Sequence, residues 1–217
     1  MDAKELIGRT AEHVRDVMAG DFSGHDWWHV YRVWRMAVRL ASETQADLVV
    51  VELGALLHDI ADWKFNEGDL EVGPRVAREW LESQGADPDI VRKVSDVVAG
   101  ESFIGAGVPD KACSLESQIV QDADRLDALG AVGIGRTFAF GGAHNRQMYD
   151  PDVSAEYHET FESYKSSASP TINHFYEKLF LLKDRMHTST GRQMAEARHQ
   201  YMVDFVNRFH MEWDGEI

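Results

Sequence analysis

Three stretches of helical periodicity each carry one ionisable residue on a side that is otherwise apolar. His29 is followed by apolar residues four, seven and eleven positions later, and His58 is preceded by apolar residues three, seven and ten positions earlier. Asp122 has apolar residues seven and three positions before it and four positions after it. Residues at these spacings share one face of a helix. Because burying a polar or charged group without a partner is costly, the fold must bring these side chains to each other or to a common partner.

Helical spacing dominates the sequence, and we find no convincing two-residue alternation of apolar and polar residues. The sequence therefore predicts an all-α fold. Periodicity predicts helices over residues 2–19, 47–58, about 71–84, 88–99, about 112–128 and a short stretch within 130–142. Three more helices are expected after residues that typically begin a helix. A capping box at Ser23 and Asp26 predicts a helix to about Thr44, and Ser169 before Pro170 fits an N-cap. A second capping box at Thr190 and Gln193 predicts the last helix.

The segment between residues 143 and 169 is polar and long for a connection inside a compact domain. Long loops of this kind often serve a function. The sequence leaves open whether its His144, Arg146 and Lys165 lie over a substrate as a lid or stay in solvent.

Length and charge limit the classes of partner. The chain has 217 residues, and we expect one domain that spans residues 1–217. Its net charge is −15, so we expect no long nucleic acid and no membrane surface as partner, although a small anionic substrate remains compatible. The one cysteine excludes an internal disulfide and a cysteine-based metal cluster, and the polar N-terminus predicts a cytoplasmic protein. A homodimer is left open.

A metal ion is the most economical partner for the ionisable residues on the apolar stripes. His58 is followed directly by Asp59, which adds a second carboxylate to that of Asp122. Two imidazoles and two carboxylates suit one divalent cation, with Mn²⁺ favoured and Mg²⁺, Co²⁺, Ni²⁺, Fe²⁺ or Zn²⁺ as alternatives. The competing explanation is a satisfied core histidine together with ion pairs that join Arg32 to Asp59 and Arg125 to Asp122. The coincidence of all four candidate ligands favours the metal.

Several motifs resemble those of the HD-domain metal-dependent phosphohydrolases. The order of His29, the His58-Asp59 dipeptide and Asp122 is similar to the H…HD…D signature of that superfamily. The surrounding sequences GHDWWHVYRV (24–33), HDIADWKF (58–65) and DADRLDALGA (122–131) resemble a small bacterial subgroup, as do TINHFYEKL (171–179) and TGRQMAEAR (190–198). Members of this subgroup are similar to nucleotide pyrophosphohydrolases, and the resemblance covers nearly the whole chain.

The resemblance implies an HD-domain-like helical bundle with additional C-terminal helices. It also implies a metal enzyme that hydrolyses a phosphoester or phosphoanhydride. By motif match, the metal ligands would be His29, His58, Asp59 and Asp122. The tandem HD-GYP variant, which acts on cyclic dinucleotides, does not match, because its Gly-Tyr-Pro extension and extra histidines are absent at the expected places.

Five further residues close to these motifs are candidates for catalysis or substrate binding. Asp62 can hold the attacking water or a ligand histidine, and His25 can donate a proton to the leaving group or a hydrogen bond to phosphate. Lys64, Arg125 and Arg32 can contact phosphate. Each has a structural alternative: a solvated loop carboxylate for Asp62, packing at the helix start for His25, and structural ion pairs for the three basic residues.

The function predicted from these residues is a metal-dependent hydrolase of small phosphorylated compounds, with nucleoside triphosphates as the expected substrates. A water bound to the metal would attack phosphorus, and the products would be a monophosphate with pyrophosphate, or a nucleoside with phosphate. Two alternatives stay open. One is a phosphodiesterase for cyclic or linear dinucleotides, and the other is a non-catalytic protein with a structural metal site.

Overall fold

A computed structural model of the chain describes residues 2–21, 24–61, 69, 71–101, 112–156 and 169–217. Regular structure within these ranges is helical and includes no strand, which confirms the all-α prediction. The α-helices are α1 (Ala3–Val17), α2 (Trp27–Ala41), α3 (Leu48–Leu57), α4 (Val72–Ser83), α5 (Pro88–Gly100), α6 (Leu115–Asp127), α7 (Gly130–Ala143), α8 (Asn173–Glu177) and α9 (Ser189–Trp213), with a 3-10 helix over Leu179–Arg185 between the last two.

Aspartates begin several of these helices. The side chains of Asp2, Asp47 and Asp87 each accept a hydrogen bond from a backbone N–H in the first turn that follows them. Asp26 does the same for α2 by accepting from the N–H of His29 at 3.0 Å. These N-caps satisfy donors that have no partner inside the helix. Asp26 is therefore the N-cap of α2 rather than the second member of a capping box, and Ser23 lies outside the described residues.

The two other predicted start signals are wrong. The residue that caps α9 is Thr188, whose side chain accepts from the N–H of Gly191 at 3.0 Å, so Thr190 already lies inside the helix. Ser169 does not cap α8, because that helix begins at Asn173 with Ile172 at the N-cap position; the hydroxyl of Ser169 donates to the buried carboxylate of Glu177 at 2.8 Å. The continuous helix expected after it is also interrupted, since Lys178 leaves helical geometry with φ −138.

Two compact units divide the described chain. Unit 1 comprises residues 2–21, 25–61, 69, 71–101 and 112–124, and unit 2 comprises residue 24, residues 125–156 and residues 169–217. The expectation of a single domain stays a prediction.

Helix α3 lies at the centre of unit 1. It contacts α1, α2 and α5, and α4 packs on α5. From Val50 to Leu57 most of its side chains are buried, so that this helix has almost no polar face. Gly54 allows the closest approach, because a Cβ atom there would lie 2.8 Å from Cγ1 of Val97 on α5 and 3.6 Å from Cγ2 of Val120 on α6. The C-terminal end of α3 is thereby fixed inside the core of unit 1.

Aromatic rings pack around the buried Phe175 in unit 2. The ring of Phe138 on α7 lies 6.3 Å from that of Phe175 on α8 and 6.1 Å from that of Phe205 on α9. Phe175 and Phe205 stack at 6.0 Å. Among the helices that the structure describes, none is long and apolar enough to cross a membrane.

Candidate metal centre

Three of the four predicted ligands meet in unit 1. His29 is the third residue of α2, His58 follows the last residue of α3, and Asp59 comes next in the chain. Their ligand atoms all lie within 4.8 Å of one another. The two Nε2 atoms are 3.2 Å apart, and Oδ2 of Asp59 lies 3.2 Å from Nε2 of His29 and 3.5 Å from Nε2 of His58. Both histidine side chains are almost fully buried, whereas that of Asp59 is 21% exposed.

A backbone contact selects the tautomer of His58. Its Nδ1–H donates to the carbonyl of Ala55, one turn earlier, at 2.8 Å. A neutral imidazole that donates from Nδ1 has its lone pair on Nε2. Nε2 of His58, which faces His29 and Asp59, is therefore the nitrogen available to bind a cation.

The distances between these donor atoms fit a shared cation. Bonds of about 2.0–2.2 Å from a first-row metal to nitrogen and oxygen place neighbouring ligand atoms about 2.9–3.6 Å apart in octahedral or tetrahedral geometry. The three separations in the group, 3.2, 3.2 and 3.5 Å, lie within that range. A core hydrogen-bond network would not need two imidazole nitrogens and a carboxylate oxygen to converge on one point. The group can hold a metal ion.

Asp59 is held in its charged form. Burial alone raises the pKa of this carboxyl, but the charge that His58 and His29 carry when they are protonated, together with a hydrogen bond from His29, outweighs that effect and lowers the pKa well below its usual range. A carboxylate that is ionised at neutral pH is the form that binds a cation.

The fourth predicted ligand, Asp122, is not in this group. It is fully buried on α6. Asp124 is not in the group of three either, but its Oδ1 lies 3.4 Å from Nε2 of His29 and 3.9 Å from Nε2 of His58. Two residues along a helix correspond to a rotation of about 200°, so Asp122 and Asp124 point in nearly opposite directions. Asp124 is therefore a further candidate for the fourth ligand, and the role of Asp122 stays a prediction.

The remaining candidates occupy different environments. Asp62 and Lys64 lie outside the described residues. The ring of His25 meets that of His29 edge to face, with their centroids 5.9 Å apart. Arg32 is half-buried on α2, one turn after His29. The substrate role of Arg32 and the catalytic role of His25 stay predictions.

Arg125 makes contacts inside unit 2 that match the structural alternative. Its guanidinium is buried and donates to the backbone carbonyl of Arg185, and it lies 3.2 Å from Nε2 of His187. These contacts tie the end of α6 to the 3-10 helix and its C-terminal continuation. The predicted phosphate contact of Arg125 has no support from them.

Comparisons with known proteins agree with this picture. The family model for the HD domain matches residues 27–129, a range that contains both histidines and the carboxylates of Asp59 and Asp124. The uncharacterized protein YpgQ of Bacillus subtilis is 35% identical over 217 residues, which covers 98% of this chain and 97% of YpgQ.

Solved structures extend the similarity to the fold. A protein from Lactobacillus plantarum is 35% identical with a TM-score of 0.85, covering 99% of this chain and 100% of its own. An HD-superfamily hydrolase from Bacillus thuringiensis is 40% identical with a TM-score of 0.73, covering 98% and 99%. Bacillus subtilis YpgQ in complex with ADP is 30% identical in structural alignment with a TM-score of 0.74, covering 98% and 97%. From its convergent histidines and carboxylates and from these relatives, we conclude that the chain belongs to the HD-domain phosphohydrolase superfamily.

Proposed function

We propose that this protein is a metal-dependent phosphohydrolase of nucleotides, with nucleoside triphosphates as its substrates. The observation that carries the proposal is the convergence of two imidazole nitrogens and a carboxylate oxygen within 3.5 Å of one another. The nucleotide part is supported by a relative that is 30% identical and was crystallised in complex with ADP. The cleavage position, which gives either pyrophosphate or phosphate, is left to the assay below.

Four side chains would hold the cation, namely those of His29, His58, Asp59 and Asp124. A bound divalent cation supplies a Lewis acid for the phosphoryl group and makes water a better nucleophile at neutral pH. The two carboxylates, which are partly exposed at 21% and 33%, would be the ligands nearest to an incoming substrate. The buried histidines would form the rigid inner side of the centre.

The protein contributes preorganisation. The hydrogen bond from Nδ1 of His58 to Ala55 fixes that ring before any ligand binds, and the Asp26 cap fixes the first turn of α2 in which His29 lies. His25 stands beside His29 and is the candidate to donate a proton to the leaving group or a hydrogen bond to a phosphate oxygen. Arg32 is the candidate in α2 for a phosphate contact, because it follows His29 by one turn.

A nucleotide panel tests the proposal. Nucleoside mono-, di- and triphosphates, dinucleotides and cyclic nucleotides are incubated with Mn²⁺, Mg²⁺, Co²⁺ or Ni²⁺, and phosphate, pyrophosphate and nucleoside are measured. We expect turnover of triphosphates that chelation abolishes and that Asp59→Asn lowers by at least about 100-fold. Asp96→Asn, which changes an exposed aspartate elsewhere in unit 1, is the matched control and should retain activity.

Three outcomes would contradict the proposal. Turnover of dinucleotides or cyclic nucleotides in place of triphosphates would identify a phosphodiesterase. Chelator-sensitive thermal stability without turnover of any compound would identify a structural metal. Full activity of the Asp59→Asn variant would exclude the His29, His58 and Asp59 group as the reaction centre.

A further inference from the structure

A half-buried arginine in unit 2 joins the end of α6 to the turn that precedes α2. Arg136 on α7 pairs through its terminal Nη1 with Oδ2 of Asp127 at 3.1 Å. The Nε–H of the same guanidinium donates to the backbone carbonyl of Gly24 at 2.8 Å. The two side chains are 16% and 7% exposed, so this ion pair is largely shielded from solvent. Shielding strengthens the pair and raises the cost of leaving either partner alone.

The backbone conformation of Gly24 allows this close contact. Its φ is +93, a backbone conformation that side-chain-bearing residues rarely adopt. The space where a Cβ atom would project is bounded by Cα, Cβ and Cγ of Arg136, each at 3.5 Å. The turn and the arginine therefore fit against each other closely.

The chain after Gly24 leads directly to the metal centre. His25 follows at once, Asp26 caps α2, and the N–H that this cap binds is that of His29. The rings of His25 and His29 are 5.9 Å apart. At its other end the arginine is fixed by Asp127, the last residue of α6. A shift of the carbonyl of Gly24 would be transmitted first to His25.

We propose that Arg136 and Asp127 are positioning residues whose ion pair holds the carbonyl of Gly24 and thereby sets the place of His25 beside the ligand His29. The inference rests on the proposed function, in which His25 acts on the substrate. Neither Arg136 nor Asp127 touches the substrate in this scheme. An arginine is required because one planar fork must serve a carboxylate and a carbonyl at the same time, which a lysine ammonium cannot do with the same geometry.

The test is a double-mutant cycle on the holoenzyme with saturating metal. We expect Arg136→Lys to lower kcat by about 10- to 100-fold, with a much smaller change in KM, because misplacement of a reacting group acts on the chemical step. In a His25→Ala background the same change should have less than about a twofold effect, since the group that it positions is already gone. Asp127→Asn should behave like Arg136→Lys in both backgrounds.

The matched control is Arg192→Lys. Arg192 is also in unit 2 and also makes two hydrogen bonds, in its case to the carbonyls of Met186 and His187 at 3.1 and 2.6 Å. Because Arg192 is exposed, a smaller loss of thermal stability is expected, without a selective loss of kcat. If Arg136→Lys and His25→Ala multiply in their effects, or if Arg192→Lys lowers kcat as much as Arg136→Lys does, the ion pair is merely structural and the inference is wrong.

A second readout does not depend on activity. Amide hydrogen exchange of peptides that cover residues 24–29 should become faster in Arg136→Lys and stay unchanged in Arg192→Lys. If the wild-type protein hydrolyses no nucleotide, the proposed function fails, and the exchange measurement still decides whether the ion pair holds this turn. If turnover is normal but His25→Ala is fully active, the proposed function survives and the positioning inference is overturned.

Discussion

Replacing Asp124 and Asp122 separately by asparagine should distinguish the carboxylate that binds metal from the one that does not. Oδ1 of Asp124 lies 3.4 Å from Nε2 of His29, within the range of about 2.9–3.6 Å expected for two ligands of one first-row cation. Its distance of 3.9 Å to Nε2 of His58 exceeds that range by a few tenths of an ångström, which a small side-chain rotation would remove. Neither aspartate is in the group of three whose ligand atoms lie within 4.8 Å of one another, and the two differ in burial, since Asp122 is fully buried whereas the side chain of Asp124 is 33% exposed.

The expected magnitude follows from the role of each group. Loss of a residue that only supports a metal ligand typically costs 10- to 100-fold in affinity, so loss of a ligand itself should cost at least about 100-fold. That factor corresponds to about 2.8 kcal/mol, at about 1.4 kcal/mol for each tenfold change. Asp124→Asn should therefore raise the Kd for Mn²⁺ by at least about 100-fold, whereas Asp122→Asn should change it less than about threefold.

Isothermal titration of chelator-treated protein with Mn²⁺ measures both values, and the melting temperature of each variant reports on folding. The asparagine side chain keeps the shape of aspartate, so a folded variant isolates the loss of charge. A large loss of affinity in Asp122→Asn, with wild-type affinity in Asp124→Asn, would refute the reasoning from distances. Equal losses in the two variants would refute it as well.

Three further predictions concern unit 1. Chelation should lower the melting temperature of the wild type, by an amount that corresponds to about 2.7 kcal/mol when the metal had been present at 100 times its Kd, and should leave that of His58→Ala unchanged. Burial lowers the pKa of His13, which stacks on Trp80 at 3.8 Å, although Asp16 offsets part of this effect. Because the pKa is lower in the folded state than in the unfolded state, the associated stability is present above about pH 6.5 and is lost as the pH falls through the folded pKa. The melting temperature of the wild type should therefore fall more on acidification than that of His13→Phe. Gly54→Ala should destabilise unit 1 by about 1–3 kcal/mol in urea unfolding, because its Cβ would lie 2.8 Å from Cγ1 on α5, and an added truncation of the valine there should recover part of the loss.

Local patterns were sufficient to predict the histidine part of the centre. His29 and His58 each lie on an apolar stripe, and both side chains are buried in unit 1 as the periodicity predicts, although Leu48 at the start of the His58 stripe is 45% exposed. Asp59 follows from its covalent bond to His58. The separation of the three ligand atoms needed the structure, because it depends on how α2 packs on α3.

The choice between Asp122 and Asp124 could not be made from periodicity alone. An apolar stripe identifies the most buried position of a helix, and that position is Asp122. A carboxylate that must share a cation with a substrate has to lie at the edge of the core, and the side chain of Asp124 is 33% exposed. The sequence Asp-Ala-Asp at 122–124 offers both carboxylates, and the second lies at the edge of the stripe.

Local sequence patterns also did not predict the contacts that Arg125 and Ser169 make with distant parts of the chain. A phosphate-binding arginine and a structural arginine look alike in the sequence, and the partners of Arg125 lie about sixty residues further along the chain, at Arg185 and His187. Ser169 has the local properties of an N-cap, yet its hydroxyl donates a hydrogen bond to the buried carboxylate of Glu177. Contacts with partners that are distant in sequence are the ones that local patterns do not predict.

Charge gives the proposed metal a role in binding as well as in chemistry. The chain carries a net charge of −15, and the centre itself adds two carboxylates, Asp59 and Asp124, to two imidazoles that are neutral when they bind a cation. With both imidazoles neutral and no cation bound, the two carboxylates carry a charge of −2, which repels the phosphates of a nucleotide. A dication brings the four ligands to neutrality, and a basic side chain such as that of Arg32 can then attract phosphate. Under the proposed function, we therefore expect binding of a nucleotide to require the metal as strictly as turnover does, because the same ion removes the repulsion and completes the reaction centre.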